Sequence, residues 1–438
     1  ENIFDDDNLL EGGDSRTFDL IIELPAEAGN EYQGCGIAFD LQISAIQATE
    51  GAQFASLWTG EADTSWYSEE EEQFDIASAD QLAGLASIVT EGNNFNGKTV
   101  TLVSDFNSGG REFPVIAAGS SYTRGFCGTL EGNGKTVSNY SVTSDSENPY
   151  SGLFGSIYYG TVRDLELSNA VIENDGSASG SAQASAGALA GVIYNGTVEN
   201  VRVTGESSVT ASIRSGGVIG AVRGTSSVVS GCVNEAAVNV SNQYSGGIVG
   251  AIHFGSNSRV TGCINYGTVN GRTEVGGIAG YADRAYIENC ENYGDVTGTG
   301  VYGTGGILGQ DACNRQLFYP QNGSTIVGCV NYGTITAPGH VGGILGTFAM
   351  TPGDPQPTSR IYSTIENCVN NGAVVGNGGA TEAAKAGAIF GYQHTYAKGD
   401  ADENINNLYV RMVGCSNTGT VNGEVPSGLT ASAFTETE

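Results

Sequence analysis

Positive charge is scarce in this chain, and its scarcity excludes two classes of function. Only 17 of the 438 residues are Lys or Arg, against 48 Asp or Glu, which gives a formal net charge of −31. A surface this acidic cannot neutralise a run of phosphates, so nucleic-acid binding is excluded as a main role. Anionic membrane surfaces would repel the protein as well.

Long hydrophobic runs and short cysteine motifs are also lacking. No apolar stretch approaches about 18 residues, so the sequence predicts no membrane span. None of the nine cysteines belongs to a CxxC pair, and a chain of this size does not need disulfides to be stable. Because Glu1 is not followed by a basic or apolar leader, we expect a removed signal peptide or excision from a longer protein. The Lys-poor, Ser-, Thr-, Asn- and Gly-rich composition favours an extracellular or cell-surface location.

Glycine is abundant, with 67 residues, and much of it belongs to a repeated block. The block reads small–Gly–Gly/Ala–apolar–apolar–Gly, as in residues 275–280, and recurs every ~30 residues. Its closing glycines are Gly155, Gly191, Gly220, Gly250, Gly280, Gly309, Gly346 and Gly391. Short apolar runs of period two, separated by Gly or Asn turns, fill each unit and leave no room for a long helix.

A second recurring block carries a Cys and an Asn two positions apart, as in IENCENYGDV at residues 287–296. Strand residues i and i+2 point to the same side, and apolar residues replace both in upstream units, so we expect an interior ladder. The ladder residues are Cys232, Cys263, Cys290, Cys329, Cys368, Cys415, Asn265, Asn292, Asn331, Asn370 and Asn417. Parallel in-register neighbours have poor disulfide torsions. We therefore expect free buried thiols, with a disulfide or a metal site as alternatives.

A unit of ~30 residues with short strands predicts one coil of a solenoid. Equivalent residues would stack one strand spacing apart, roughly 4.8 Å. The sequence therefore predicts an all-β fold, a parallel β-helix over residues 74–425. An amphipathic helix at residues 78–91, with Ser78 and Gln81 as a capping box, is expected to cover its first coil.

The segments outside the solenoid have a different composition. Residues 1–55 contain two predicted strands and should form a β-hairpin or part of a β-sandwich, which must dock or pair because an isolated hairpin is marginal in water. Fibre assembly through these residues by strand addition is one outcome, and a monomer is the other. Residues 56–73 predict an acidic linker and residues 426–438 a flexible tail.

The Gly-Gly block resembles the GLUG repeat of bacterial surface proteins. The stretch FDIASADQLAGLASIVTEGNNFNGKTVTLVSDF, followed by GTLEGNGKTVSNYSV and SGLFG, resembles the opening segment of such proteins. The resemblance spans about residues 74–425 and implies a secreted or wall-attached, adhesin-like, right-handed β-helix. Residues 12–50 are similar to the closing strands of camelysin/TasA-like extracellular proteins. Camelysins are described as metalloproteases, but the chain has no HExxH motif, so that activity is not carried over.

Tyr266, Tyr293 and Tyr332 share one position, immediately before a turn glycine. Alternation turns them outward if the neighbouring Asn residues face inward. An exposed aromatic column would bind a glycan or a protein partner. The alternative is that each ring packs on the neighbouring coil and stiffens the turn.

Catalysis is the alternative function, because β-helices host polysaccharide lyases and glycoside hydrolases, although fold does not imply function. The carboxylates that could meet on adjacent coils are Glu274, Asp283, Glu288, Asp295 and Glu366, and the nearby basic residues are Arg272, Arg284 and Arg315. We expect no enzyme. A groove with converging carboxylates and at least one Arg or Lys would distinguish an enzyme from a stalk.

Metal sites are not expected either. His253 and His394 occupy equivalent positions but lie four coils apart, roughly 19 Å, which is too far to share a zinc ion. Each should be an isolated surface or turn residue. The acidic loops 5–7 and 400–404 are candidate Ca²⁺ sites, with solvated charge as the default. The sequence as a whole predicts an extracellular bacterial adhesin-like or structural stalk that binds host or dietary glycan or a surface protein.

Overall fold

A computed structural model describes residues 55–176, 183–253, 257–313, 322–350, 360–378, 385–395, 408–430 and 435–437. The chain divides into two compact units, residues 1–55 and 56–438. The predicted hairpin and the acidic loops 5–7 and 400–404 lie outside the described residues. In the part described, no helix is long and apolar enough to cross a membrane.

Counted over the described residues, the second unit contains four sheets, numbered here in the order in which a coil visits them. Sheet 1 has 20 strands: Ser56–Leu57, Gln73–Ile76, Thr99–Leu102, Phe106–Asn107, Thr129–Ser138, Thr161–Ser168, Thr197–Thr204, Val228–Ser230, Val233–Asn234, Arg259–Thr261, Ile264–Asn265, Tyr286–Glu288, Glu291–Asn292, Thr325–Val327, Val330–Asn331, Ile361–Glu366, Val369–Asn370, Leu408–Val413, Ser416–Asn417 and Thr435–Thr437. Sheet 2 has eight: Ser141–Ser144, Val171–Asn174, Ser208–Ala211, Ala237–Val240, Val269–Gly271, Val296–Gly298, Ile335–Ala337 and Val374–Gly376.

Sheets 3 and 4 also have eight strands each. The strands of sheet 3 are Tyr150–Ser151, Ser185–Gly187, Arg214–Gly216, Gln243–Gly246, Thr273–Gly276, Thr304–Gly305, His340–Gly342 and Lys385–Gly387. Those of sheet 4 are Phe154–Tyr158, Ala190–Tyr194, Ile219–Arg223, Val249–Ile252, Ala279–Asp283, Leu308–Cys313, Leu345–Met350 and Phe390–Thr395. Strands of successive coils pair in parallel, with Asn234 opposite Asn265 and Asn265 opposite Asn292. The predicted all-β parallel β-helix is confirmed.

One left-handed residue bends sheet 1 in each coil, between its two short strands. Gly262 (φ +62°) and Asn289 (φ +52°) occupy this place in neighbouring coils, immediately before the ladder cysteine. Only Gly, and to a lesser degree Asn or Asp, adopts this conformation at little cost. The equivalent residues in the other coils are Asp164, Asn200, Gly231, Gly328, Asn367 and Gly414.

The cross-section narrows where the turn between sheets 3 and 4 approaches sheet 1. A Cβ atom added to Gly277, the second glycine of its block, would lie 2.1 Å from the Gly306 carbonyl oxygen and 2.3 Å from the Asn292 amide carbon. Glycine is therefore required, because the turn is drawn inward until it touches the asparagine ladder. In the later coils this waist separates a smaller apolar cluster, between sheets 2 and 3, from the main cluster between sheets 1 and 4. In the first coils the main cluster also includes Val142, Ile172 and Val209 of sheet 2.

The helix runs over Ala79–Thr90, with Ser78 as its N-cap. The Ser78 hydroxyl accepts a hydrogen bond from the Gln81 backbone N–H at 3.2 Å, and the Gln81 side chain accepts one from Ala77 N–H at 2.8 Å. The apolar face of the helix, including Leu82 and Leu85, is buried in the cluster between sheets 1 and 4. The helix thus covers the first coil.

Two predicted segments differ from the structure. Residues 56–73 are not a free linker: Ser56–Leu57 pairs with sheet 1, and Trp58 and Trp66 pack against the core, although the acidic run itself is exposed. The described part of the 426–438 tail is held as well, since the Leu429 carbonyl accepts the Ile389 N–H at 2.8 Å and Thr435–Thr437 pairs with Leu408–Val413. The terminal coils have unpaired backbone groups, and these segments satisfy them.

Candidate functional site

The cysteines and asparagines of the second block fill the interior. Cys232 through Cys368 and Asn265 through Asn370 are buried, whereas Cys415 and Asn417, in the last coil, are half-buried. The six ladder sulfur atoms are unlinked, and burial raises the pKa of the Cys290 and Cys415 thiols. Hydrogen bonds from the Cys290 and Cys368 thiols lower the pKa of Cys329 instead. Its sulfur is nevertheless as enclosed as the others, and enclosed thiols are poor nucleophiles, which supports a structural role for the ladder.

The tyrosine column lies on the outer surface of the coils. Tyr266, Tyr293 and Tyr332 are 50%, 40% and 44% exposed. Their rings stack on one another, with centroids 5.0 and 4.5 Å apart and interplanar angles of 19° and 7°. Both faces of Tyr293 and one face each of Tyr266 and Tyr332 are therefore covered by a neighbouring ring. Each ring thus packs on the ring of the neighbouring coil, which would stiffen the turn, and this stacking leaves less ring face for a ligand.

A groove runs along the outside of the β-helix at the waist, where the outer faces of sheets 3 and 4 turn toward each other. A Cβ atom added to Gly250 on sheet 4 would lie 2.8 Å from the Ser215 backbone nitrogen on sheet 3 of the preceding coil. Outward-pointing side chains beside this corner are consequently buried: Arg214 is 4% exposed and His340 5%. The groove spans eight coils, roughly 34 Å from first to last.

Three positions per coil line the groove: the residue before each Gly-Gly block, and the first and third residues after its closing glycine. The first position holds Tyr150, Ser185, Arg214, Tyr244, Glu274, Gly303, His340 and Lys385. The second holds Ser156, Val192, Ala221, Ala251, Tyr281, Gln310, Thr347 and Tyr392. The third holds Tyr158, Tyr194, Arg223, His253, Asp283, Ala312 and Ala349.

Aromatic rings recur along the groove in three groups. Tyr122, Tyr158 and Tyr194 stack with centroid distances of 5.2 Å. Further along, Tyr244, His253 and Tyr281 lie with centroids 5.0 to 5.8 Å apart. The last group is Tyr302, His340 and Tyr392, with centroids 6.0 and 5.1 Å apart.

Arg214 lies at the centre of the groove. Its Nε donates to His253 Nε2 at 2.9 Å, its terminal nitrogens bond Gln183, and its guanidinium lies 5.7 Å from the Tyr244 ring centroid. Burial, with Arg223 nearby, lowers the pKa of Arg214 to about 10. Burial and the same two arginines hold the pKa of His253 well below its usual range. His253 is therefore a neutral partner that orients Arg214, and the prediction that it is isolated is wrong.

Two groove residues have left-handed backbones that ordinary side chains rarely adopt. Tyr244 has φ +71° and Glu274 has φ +53°, and the equivalent residue of the next coil is Gly303, with φ +53°. Glycine would meet this requirement without strain. Strain of this kind is concentrated at functional sites, which singles out the Tyr244–Glu274 part of the groove.

Of the carboxylates named as catalytic candidates, Glu274 and Asp283 line the groove in one coil, whereas Glu288 and Glu366 lie on sheet 1. Glu274 accepts a hydrogen bond from Thr273, and Asp283 is paired with Arg284 at 2.9 Å. Glu288 pairs with Arg259 on sheet 1, two strands away from Glu366. Within the described ranges, no group of three or more His, Cys, Asp or Glu could hold a metal ion. The side chain of His394 lies outside the described part of the structure, and so does Arg315.

The groove is the part of the site that the sequence reasoning missed. The residue before each Gly-Gly block changes from Ser to Arg, Tyr, Glu, His or Lys between coils, while the block itself hardly varies. This variable residue beside a nearly constant block was the sequence feature that could have indicated the groove.

Comparisons with known proteins give two likenesses, and no family model matches the chain. The chain is 29% identical over 199 residues to Halomucin of Haloquadratum walsbyi; the match covers 44% of this chain and spans only 2% of that protein. A crystal structure from Bacteroides ovatus, designated as a candidate immunoglobulin A1 protease, aligns with a TM-score of 0.38 and 17% identity, over 85% of this chain and 84% of that one.

Proposed function

We propose that the protein is an extracellular bacterial surface protein, an adhesin-like or structural stalk whose lateral groove binds glycan. The observation that carries the proposal is the succession of aromatic rings along the groove, beside buried polar side chains. Apolar and aromatic walls with a few placed polar groups are typical of ligand sites, and the rings offer flat surfaces for sugars. Relation to GLUG-repeat surface proteins, with a camelysin/TasA-like N-terminal fragment, is part of this proposal.

The part of the groove around Tyr244 and Tyr281 is a better binding surface than the tyrosine column, whereas Tyr122, Tyr158 and Tyr194 are stacked as the column is. In the column, the middle ring is stacked on both sides. In the groove, Tyr244 and Tyr281 meet at 66°, and Tyr244 and His253 meet at 87°. Edge-to-face rings leave faces open to a partner. A linear glycan that lies along several coils would contact residues of each coil, and these contacts would together strengthen binding.

Binding to a glycan array tests this proposal. The wild type should retain specific glycans, and the double variant Tyr244→Ala/Tyr281→Ala should lose most of this binding. The triple variant Tyr266→Ala/Tyr293→Ala/Tyr332→Ala is the matched control and should bind normally. Loss in the triple variant alone would assign binding to the tyrosine column instead. Absence of any glycan binding by the wild type would overturn the glycan proposal and leave a protein-directed adhesin or a stalk.

A polysaccharide-active enzyme is the second candidate, favoured by one observation, the buried Arg214 inside an external groove. Nearby acidic groups are already engaged, as Asp283 is with Arg284, which favours binding over cleavage. Incubation with glycans retained on the array would decide between them: a lyase would form unsaturated uronates, and a hydrolase would form new reducing ends.

A further inference from the structure

We propose that the part of the groove around Arg214 and Arg223 binds an anionic sugar, one that carries a carboxylate or a sulfate group. This inference rests on the proposed glycan-binding function and names the chemical class of the ligand.

The first step is that both guanidinium groups lack an anionic partner. Five arginines of the described chain form salt bridges: Arg163, Arg202, Arg259, Arg284 and Arg360. Arg214 and Arg223 do not, among the residues that the structure describes. The undescribed segments nearest in sequence, 177–182 and 254–256, contain no acidic residue.

The second step is that Arg214 is enclosed and Arg223 is partly enclosed. Arg214 is almost fully buried, and its hydrogen-bond partners, His253 and Gln183, are neutral. The Nε atom of Arg223 is buried without a hydrogen-bond partner. A buried polar group without a partner is unfavourable, and a buried unpaired charge is more so. In a chain of net charge −31, two neighbouring arginines without an acidic partner are unexpected unless an anionic ligand pairs with them.

The third step is that aromatic rings flank both arginines. The guanidinium of Arg223 lies 5.6 Å from the Tyr122 ring centroid, and that of Arg214 lies 5.7 Å from the Tyr244 ring. Guanidinium groups bind carboxylates and sulfates through paired N–H donors, while tyrosine faces pack against sugar rings. With only two cations the site cannot follow a phosphate backbone, so a charged sugar within a longer glycan fits it best.

Equilibrium binding to matched polymers tests the inference. Polygalacturonate supplies carboxylates, its fully methyl-esterified form is the neutral control, and carrageenan supplies sulfates. We expect the full chain to prefer an anionic polymer over the neutral ester. Arg223→Gln should weaken that binding by about tenfold or more, and added salt should weaken it too. Arg272→Gln, which removes the same charge from an exposed site, should change it less than about twofold.

The outcomes separate this inference from the proposed function. If Arg223→Gln keeps its melting temperature and binds anionic polymers as the wild type does, the inference is overturned. Equal binding of the ester and the acid would overturn it as well but leave glycan binding standing. If no polymer binds and the array is also empty, both fail. Equal competition by poly-glutamate would show an acidic peptide site and overturn the sugar assignment. Comparison of the affinities for polygalacturonate and carrageenan identifies whether a carboxylate or a sulfate is preferred.

Discussion

Asn292 shows how much a single ladder residue connects. Its Nδ2 donates to the Gly294 carbonyl and to Asn331 Oδ1, both at 2.8 Å, and its Oδ1 accepts from Asn265 Nδ2 at 2.8 Å. All of these groups are buried. One amide thus joins three successive coils and a turn.

Asn292→Ala should therefore destabilise the protein strongly. The substitution removes the donor to the Gly294 carbonyl and to Asn331 Oδ1, while the Asn265 amide keeps its bond to the Gly267 carbonyl. Each unsatisfied buried group costs about 1–3 kcal/mol, so we expect a loss of roughly 3 kcal/mol. Urea unfolding measures it. Asn270→Ala, on the exposed face of the preceding coil, is the control and should cost less than about 0.5 kcal/mol. Equal losses in the two variants would contradict the structural role of the ladder.

Asp311 gives the stability a pH dependence. Its carboxylate is buried and accepts hydrogen bonds from Ser324 N–H at 2.8 Å and Ser324 Oγ at 2.6 Å. Burial raises its pKa from 3.8 to about 7. The folded state therefore binds more protons than the unfolded state between these values, and the Asp311 contribution to stability falls as pH rises through this window.

Asp311→Asn should remove this dependence. We expect thermal melting of the wild type to lose stability between pH 4 and pH 7 relative to the variant, by a few kcal/mol at most. The variant also serves as the control for general charge repulsion, which the two proteins share. Parallel melting-temperature profiles over this range would refute the assignment.

At the turn between sheets 3 and 4, glycine is required because an added Cβ atom would clash, and not because the backbone φ is positive. Where the block has a second glycine, that residue contacts the ladder, as Gly277 does with Asn292; Ala188 and Ala388 hold the position in two other coils. Gly277→Ala would force the turn outward, and we expect a loss of about 3 kcal/mol or more. The matched change is Gly262→Asn, where an added Cβ meets nothing within 4 Å and where other coils carry Asn. It should be nearly neutral, and a comparison of melting temperatures decides the question.

The elements also show what the sequence could and could not predict. Period-two alternation and the ~30-residue repeat were sufficient to predict the coils. The capping box at Ser78 and Gln81 was sufficient to predict the start of the helix. The burial of Arg214 and the partial burial of Tyr244 were not predictable, because alternation places them outside. They are enclosed only because the turn is drawn in to the asparagine ladder, which is a three-dimensional relation. Local composition likewise misjudged residues 56–73, whose Trp58 and Trp66 pack on the core.

At the scale of the whole molecule, coils should behave as interchangeable units. Deletion of residues 290–328 joins Asn289 to Cys329 and keeps the left-handed turn and the ladder in register. Stability in such solenoids is approximately a sum over coils, so we expect a folded protein with a modestly lower melting temperature. The groove around Arg214 and Arg223 is unaffected and should still bind glycan. Circular dichroism and the array check both points.

Deletion of residues 290–327 is the control for that experiment. It leaves one residue too many, so every following side chain would change faces if the strand continued in pairing. We expect an unfolded or aggregated protein. If both deletions fold equally well, the register of the ladder does not determine the fold.

The asparagine ladder also gives the β-helix an electrical direction. Each amide from Asn234 to Asn370 donates to the asparagine of the next coil, and each from Asn265 to Asn417 accepts from that of the previous coil. Their dipoles therefore add along the axis, with the positive end toward Asn417, and each bond polarises the next. A coil in the middle is held by this mutual polarisation from both sides, while the terminal coils have it from one side only. Opening of the β-helix is then expected to begin at its ends.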